Sequence, residues 1–317
     1  MMAEPVRVRA YAKLNLDLRV GARGDDGYHD VTTILQSVAL HDTVTLRAVD
    51  GPCRVRCSTP GVPLDRDNLV WTAAAALWRA IGRRGDPCGA AVTLTKRIPA
   101  EAGLGGGTSD AVAALEGLCR IWAVSPSRQC LYGVAADVGA DGPFFLTGGT
   151  ALGVGRGDIV YPLADLAPHW VVIVVPARGV STPRAYAWLD RDREGSRRVS
   201  ARSRPACPFG GPTLELAALT NDLERPVARR RREILQAARA LSREGALHAA
   251  MTGSGSAVFG LFSSWVRATG AARRITCPEW RVIVTRTVTR TLTQTMTQTM
   301  TQATTQKTTS PVRPQRR

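Results

Sequence analysis

Residues 99–110 read Pro-Ala-Glu-Ala-Gly-Leu-Gly-Gly-Gly-Thr-Ser-Asp, and the chain continues as AVAALEGLCRIW. Gly103, Gly105, Gly106 and Gly107 let the backbone pass close to a ligand. The apolar spacing of the continuation predicts a helix. A helix N-terminus aims unpaired N–H groups at whatever lies there, and its dipole favours an anion. Thr108 and Ser109 add two hydroxyls. Pro99, Ala100, Glu101, Ala102, Gly103, Leu104, Gly105, Gly106, Gly107, Thr108 and Ser109 together read as a cradle for a triphosphate. The P-loop pattern GxxxxGK[ST] is missing, and the glycines make no Rossmann fingerprint. A glycine run alone is also compatible with a flexible turn.

Outward from this loop the chain alternates strands and helices. Residues 90–96 predict a strand ending at Lys96, and 68–82 a helix with Asn68 as its cap and Gly82 as its stop. Residues 6–20 and 31–49 alternate as strands, separated by the polar turn GARGDDGYHD. In the first, Lys13 and Asn15 fall on one face. Downstream, 127–138 predicts a helix, and 139–149, GADGPFFLTGG, reads as a loop carrying Asp141 beside two aromatics. A lone carboxylate there suits a base; an ordinary Asx turn is the alternative. Strands are expected at 150–162, 169–176 and 280–287, and helices at 213–222, 226–244 and 266–275. A second glycine-rich loop, MTGSGSAVFG, opens a strand and suits closure over a phosphate or substrate. Residues 191–212 are rich in Arg, Ser, Pro and Gly and read as a surface insertion. From 285 to 301 threonine fills every odd position; without a partner sequence, 285–317 reads as a disordered tail.

The 317 residues suggest two domains, here 1–155 and 156–284, and 44% apolar content suits a globular chain. No run approaches the roughly 18 apolar residues of a membrane helix, and no secretion signal is visible, so a cytoplasmic protein with no membrane partner is expected. Seven cysteines without a CxxC argue against a disulfide framework or zinc site. The net charge is +16, and +10 without residues 284–317. Such a surface attracts phosphorylated ligands and binds nucleic acid weakly; no stacking motif signals a specific nucleic-acid partner. Only Lys13, Lys96 and Lys307 are lysines among 42 basic residues. An ammonium is a compact charge that guanidinium does not copy, so the surviving Lys13 and Lys96 are candidates for tight sites.

In order, AKLNL, PAEAGLGGGTSDA and TGSGSAVFG resemble the GHMP kinase superfamily, over about residues 6–285. AKLNLDLRVGARGDDGYHD, GADGPFF, NDLE and MTGSGSAVFGLF narrow the resemblance to the members that act on a cytidylated sugar alcohol. It implies an α+β GHMP kinase fold, with an N-terminal domain like domain 2 of ribosomal protein S5 and a ferredoxin-like C-terminal domain. It implies ATP and Mg2+, and phosphorylation of the 2-hydroxyl of 4-diphosphocytidyl-2-C-methyl-D-erythritol in isoprenoid precursor synthesis, by a monomer or homodimer.

The resemblance places the catalytic pair on Lys13 and Asp141. Asp141 would take the hydroxyl proton, and Lys13 would hold carboxylate and alkoxide in place. Tyr28, His29 and Tyr186 would recognise cytosine, with His29 bonding the base edge. Asn15 and Thr182 would contact the erythritol, and Gly253, Ser254 and Gly255 would border substrate. Lys96 would border the adenine pocket, or be a plain strand-end lysine. Thr108 or Ser109 would be a contact for magnesium, with no protein ligand assigned. Thr108, Gly142 and Ser256 depart from the usual serine, β-branched residue and proline; Gly142 is expected to loosen the backbone at Asp141. The alternatives are a GHMP kinase for another alcohol and a nucleic-acid-binding protein on an inactive kinase fold.

Overall fold

The computed structural model describes residues 4–194 and 215–293. The first half is a sheet backed by helices. β1 (Val6–Arg23) and β2 (His29–Pro52) form a long antiparallel hairpin, β3 (Arg54–Cys57) comes next, and α1 (Leu69–Ala80) leads to β4 (Cys88–Thr95). Asn68 caps α1 by accepting from the Val70 N–H. Next come α2 (Gly106–Ile121), α3 (Arg128–Val138), α4 (Gly142–Thr147), β5 (Thr150–Val154) and β6 (Ile159–Pro162). Strand order is β3-β4-β2-β5-β6, with β1 on the other edge of β2. Only β3 and β4 run parallel.

The second half is β7 (Trp170–Pro176), α5 (Thr182–Glu194), a 3-10 turn at Leu216–Ala218, α6 (Glu224–Arg230), α7 (Arg232–Arg243), β8 (His248–Met251), β9 (Val258–Phe262), α8 (Trp265–Arg274) and β10 (Trp280–Arg286). Its antiparallel sheet has the order β10-β7-β9-β8, the βαββαβ arrangement of ferredoxin-like domains.

Among the described residues three larger cores hold these layers, and a small fourth joins Leu35, Phe144 and Ala151. One lies between the first sheet and α1–α3, and one between the second sheet and α5–α8. The third joins the halves: Leu14, Leu16 and Ile34 of the long hairpin meet Ile173, Phe259 and Leu261 on the inner face of the second sheet. Leu104 of the glycine loop is buried in this third core. Large apolar contact of this kind holds two halves in one orientation.

Several expectations need correction. Residues 142–147 form α4 rather than loop. The helix expected at 226–244 is two helices, broken at Arg231, so that Pro226 and Val227 as well as Ile234 and Leu241 reach the core. At 213–222 only the 3-10 turn at Leu216–Ala218 is helical among the described residues. The first sheet runs through Pro162, because β6 pairs with β5; the boundary at 155/156 cuts that hairpin. β3 has four residues, too few for its pattern to stand out in the sequence. The tail does not begin at 285: Thr285 lies in β10, whose partner is β7, and Thr285, Thr287 and Val288 are buried. Thr287 Oγ1 accepts from the His169 N–H at 2.9 Å. Residues 191–194 end α5; the rest of the expected insertion, and 294–317, lie outside the described residues. No helix among the described residues is long and apolar enough to cross a membrane.

Candidate functional site

β1 is buried on both faces from Ala12 to Leu18. Ala12, Leu14 and Leu16 enter the third core, while Lys13 and Asn15 alternate with them toward the cleft; a bulge then shifts the register, and the Asp17 carboxylate accepts from Arg19 Nε and the Thr220 N–H. Lys13 Nζ donates to Asn15 Oδ1 at 2.5 Å and lies 3.2 Å from Asp141 Oδ2. Asn15 Nδ2 donates to Thr33 Oγ1 at 2.8 Å, and that hydroxyl donates to the Asp17 carbonyl. The Lys13 side chain is 6% exposed and that of Asp141 31%, so a buried ammonium holds a carboxylate that still meets solvent. Asp141 opens α4, and its side chain caps no N–H of that helix.

The glycine loop delivers α2 to the same cleft. Gly105 caps α2 in the left-handed region, and no side chain bonds the first N–H groups. A Cβ on Gly105 would lie 2.7 Å from Phe145 and 3.1 Å from Lys13 Cγ, so glycine brings helix start, lysine and α4 together. The Lys13 N–H donates to the Leu104 carbonyl at 3.1 Å, tying strand to loop. Thr108 is half-buried, with Oγ1 beside Gly139, two residues before Asp141. Ser109 turns away: it is buried and its hydroxyl donates to the Tyr11 carbonyl at 2.7 Å.

Lys96 is no surface lysine. Its Nζ lies 2.5 Å from both Asp42 and Asp110, which are buried. Asp42 Oδ1 also accepts the Arg97 and Ile98 N–H groups. Burial, with Asp42 nearby, pushes the Asp110 carboxyl up to about 7 despite the ammonium. The triad sits under the first turns of α2; a Cβ on Gly106 would come within 3.5 Å of Lys96 Nζ. Both lysines singled out by the sequence thus occupy tight ionic sites.

The second glycine loop packs on the first. The Ala257 N–H donates to the Ala102 carbonyl, and a Cβ on Gly103 would fall 2.3 Å from the Thr252 carbonyl. Thr252 Oγ1 accepts the Asn15 N–H at 2.9 Å. A Cβ on Gly253 would lie 3.2 Å from Asn15 Oδ1 and 3.4 Å from Lys13 Nζ. Gly255 approaches Met251 Sδ, and Ser254 Oγ is 3.0 Å from Thr182 Oγ1. Gly142 is not loosening: a Cβ there would lie 1.9 Å from the Ala135 carbonyl, so glycine seats α4 against α3.

The other expected residues gather at the start of α5. Tyr186 stacks on His29 with ring centroids 5.4 Å apart at 30°. Burial first, then the Asp141 carboxylate, push the Tyr186 phenol up to about 12. His29 is buried, and both ring nitrogens face protein oxygens: Nδ1 is 3.1 Å from the Gly21 carbonyl and Nε2 3.1 Å from Asp190 Oδ1. The ring therefore forms a wall beside Tyr186, with each nitrogen facing a protein oxygen. Tyr28 is exposed at the turn tip, with the Arg156 guanidinium 4.1 Å above its ring.

Sequence reading misses Asp190, four residues after Tyr186 and so on the same helical face. It also leaves NDLE without a role. Asn221 Nδ2 donates to the Met251 and Gly253 carbonyls, and Glu224 accepts the Met251 N–H. Asp222 accepts the Val20 N–H. These residues brace the second loop and β1.

The comparisons agree with this architecture. Residues 68–149 match the model of the GHMP kinases N terminal domain, and 211–280 that of the GHMP kinases C terminal. A 4-diphosphocytidyl-2-C-methyl-D-erythritol kinase of Moorella thermoacetica is 40% identical over 88% of this chain and 98% of its own. One of Geobacter metallireducens is 38% identical over 89% and 98%. The crystal structure of a 4-(cytidine 5'-diphospho)-2C-methyl-D-erythritol kinase superposes with a TM-score of 0.72 at 31% identity, covering 89% of this chain and 99% of the other. A homoserine kinase from Cytophaga hutchinsonii, 20% identical with a TM-score of 0.66 over 91% of this chain and 96% of its own, shares the fold. The cleft pair, the uncapped start of α2 and these relatives lead to one conclusion: the chain belongs to the 4-diphosphocytidyl-2-C-methyl-D-erythritol kinase family of GHMP kinases.

Proposed function

We infer that the chain transfers the γ-phosphoryl group of ATP to the 2-hydroxyl of 4-diphosphocytidyl-2-C-methyl-D-erythritol, in isoprenoid precursor synthesis. The observation that carries the mechanism is the Lys13–Asp141 pair at 3.2 Å beside the uncapped start of α2. The N–H groups of Gly106, Gly107 and Thr108 would hold phosphate oxygens. Asp141 would accept the hydroxyl proton as that oxygen attacks the γ-phosphorus and ADP leaves. Lys13 would keep the carboxylate aimed, and offset the charge of the forming alkoxide. Phosphoryl transfer asks for positioning and charge neutralisation more than covalent help, which suits this site.

The acceptor would lie along β1, its hydroxyls near Asn15 and the Thr182–Ser254 pair. Its cytosine would lie against the Tyr186–His29 wall, with Tyr28 at the rim. Asp190 would hold the His29 ring in plane. No three acidic, histidine or cysteine side chains converge on a metal site among the described residues. That fits a magnesium ion held mainly by ATP phosphates, with the Thr108 hydroxyl and Asp141 as the protein oxygens available to it. Magnesium, when bound, supplies neutralisation of phosphate charge. We further read the protein as cytoplasmic, a monomer or homodimer, with a small-molecule partner and no specific nucleic acid.

The test is ADP release from ATP with this acceptor, comparing wild type and Asp141→Asn. Loss of a general base should lower kcat by about 10³-fold while ATP binding persists. Near-wild-type turnover in the variant would sink the base assignment. Turnover only with an alcohol lacking cytidine would sink the substrate.

A further inference from the structure

The open face of the first sheet carries three arginines gathered around one trough, outside the cleft. In β2, β4 and β3 the buried Val44, Leu46, Val92, Leu94 and Val55 belong to the core with α1 and α2. The alternate residues therefore point to the opposite, solvent side. The register sets Arg47 beside Ala91 and Ala91 beside Arg54; in the next row Thr93 lies beside Arg56. Short side chains in the middle strand and long ones on both flanks make a trough of about 270 Å³, with Arg47 on one wall and Arg54 and Arg56 on the other. Strands lie about 4.8 Å apart, so the facing arginine Cα atoms are about 10 Å apart, within reach of one small ligand.

Some surface arginines are held by carboxylates: Arg66 by Asp86, Arg156 by Asp26, and Arg229 and Arg230 by Asp192. Among the described residues Arg47, Arg54 and Arg56 have no such partner. The trough is lined by no aromatic ring, and Asp50 stands among its lining residues.

We propose that this trough is a second phosphate site, built for a small molecule carrying a diphosphate. Three guanidinium forks suit phosphoryl oxygens bidentately and match the charge of a diphosphate. The absence of a stacking surface removes the usual grip on single-stranded nucleic acid, and the Asp50 carboxylate opposes a polyanion running along the trough. The site is separate from phosphoryl transfer, because α2 lies on the other face of the sheet.

The experiment is calorimetric titration of inorganic pyrophosphate into the full chain, with magnesium and a non-hydrolysable ATP analogue filling the cleft. Wild type should bind one pyrophosphate. R47S/R54S/R56S should bind at least about tenfold more weakly, with kcat unchanged. A charge-matched control, R225S/R232S/R239S, removes exposed arginines from α6 and α7 and should keep wild-type affinity. A parallel titration with CDP separates free from nucleoside-linked diphosphate, and arginine-dependent binding of either supports the site. Equal affinity in all three proteins, or an equal loss in the control, would overturn it. So would a single-stranded oligonucleotide that displaces pyrophosphate from the trough.

Discussion

The two glycine-rich loops, 103–107 and 251–256, use one residue type for different ends. The first leads into a helix and leaves its N–H groups uncapped at the cleft. The second is buried from Met251 to Phe262 and leads into β9, in the middle of the second sheet. The first rests on charge, the Asp42–Lys96–Asp110 triad. The second rests on an amide and a carboxylate, Asn221 and Glu224, that bond its backbone. Glycine alone does not distinguish a ligand loop from a packing loop. The element after the glycines does: a helix start presents free donors, whereas a central strand spends them in its ladder.

The contact between the loops is where this comparison breaks most sharply. Gly103 has φ +75°, and its missing Cβ is what lets the Thr252 carbonyl approach. Gly103→Ala should add left-handed strain to a clash with the Thr252 and Gly255 backbone of the second loop. The expected loss is more than about 3 kcal/mol in urea unfolding, with a raised KM for ATP. Gly107 has ordinary φ, and a Cβ there would sit 3.4 Å from Leu69, so Gly107→Ala should stay within about 0.5 kcal/mol. Equal effects at the two positions would mean that the loops do not interlock.

Asn221→Ala sharpens the comparison from the other side. It strips two carbonyls of the second loop of their donor, and the Leu223 N–H of its acceptor. A loss of about 2–3 kcal/mol is expected. The second loop borders Asn15 and Lys13, while α2 keeps its own support. The KM for the cytidylated acceptor should therefore rise more than that for ATP. A KM shift confined to ATP would show that the second loop, too, serves the nucleotide.

Much of this is legible in the sequence because the cleft chemistry is local along the chain. Lys13 and Asn15 share a face by strand alternation, and Gly103 to Ser109 announce a helix start. The hidden part depends on distant contacts, many across more than a hundred residues. Nothing near Asn221 signals that its amide reaches Met251, and nothing near His29 signals that Asp190 occupies its ring. The partner of the first threonines of the repeat lies at Trp170–Pro176, so alternation at 285–287 looks unsupported from the sequence alone. Reading glycine as freedom misjudges Gly142, where the Ala135 carbonyl leaves no room for a side chain. Ser109 looks like a phosphate donor because a sequence does not tell which side of a helix meets solvent and which meets β1.

The smallest expected effect tests the charged support of the first loop. The Asp110 carboxyl titrates near 7 in the fold, against an ordinary aspartate value of 3.8, chiefly because it is buried. Below pH 4 it is protonated in both folded and unfolded chains and contributes no pH dependence. Between about 4 and 7 the folded chain holds the proton and the unfolded chain releases it, so stability falls as pH rises through that window. Above 7 both forms are ionised, and the loss is complete. Asp110→Asn cannot release a proton, so its stability should fall less than that of wild type between pH 5 and pH 8. Urea unfolding at the two pH values measures this. A parallel fall in the two proteins would mean that Lys96 keeps Asp110 ionised throughout. α2 would then rest on a full ion pair, and the contrast with the Asn221 amide and Glu224 carboxylate that bond the backbone of the second loop would be sharper still.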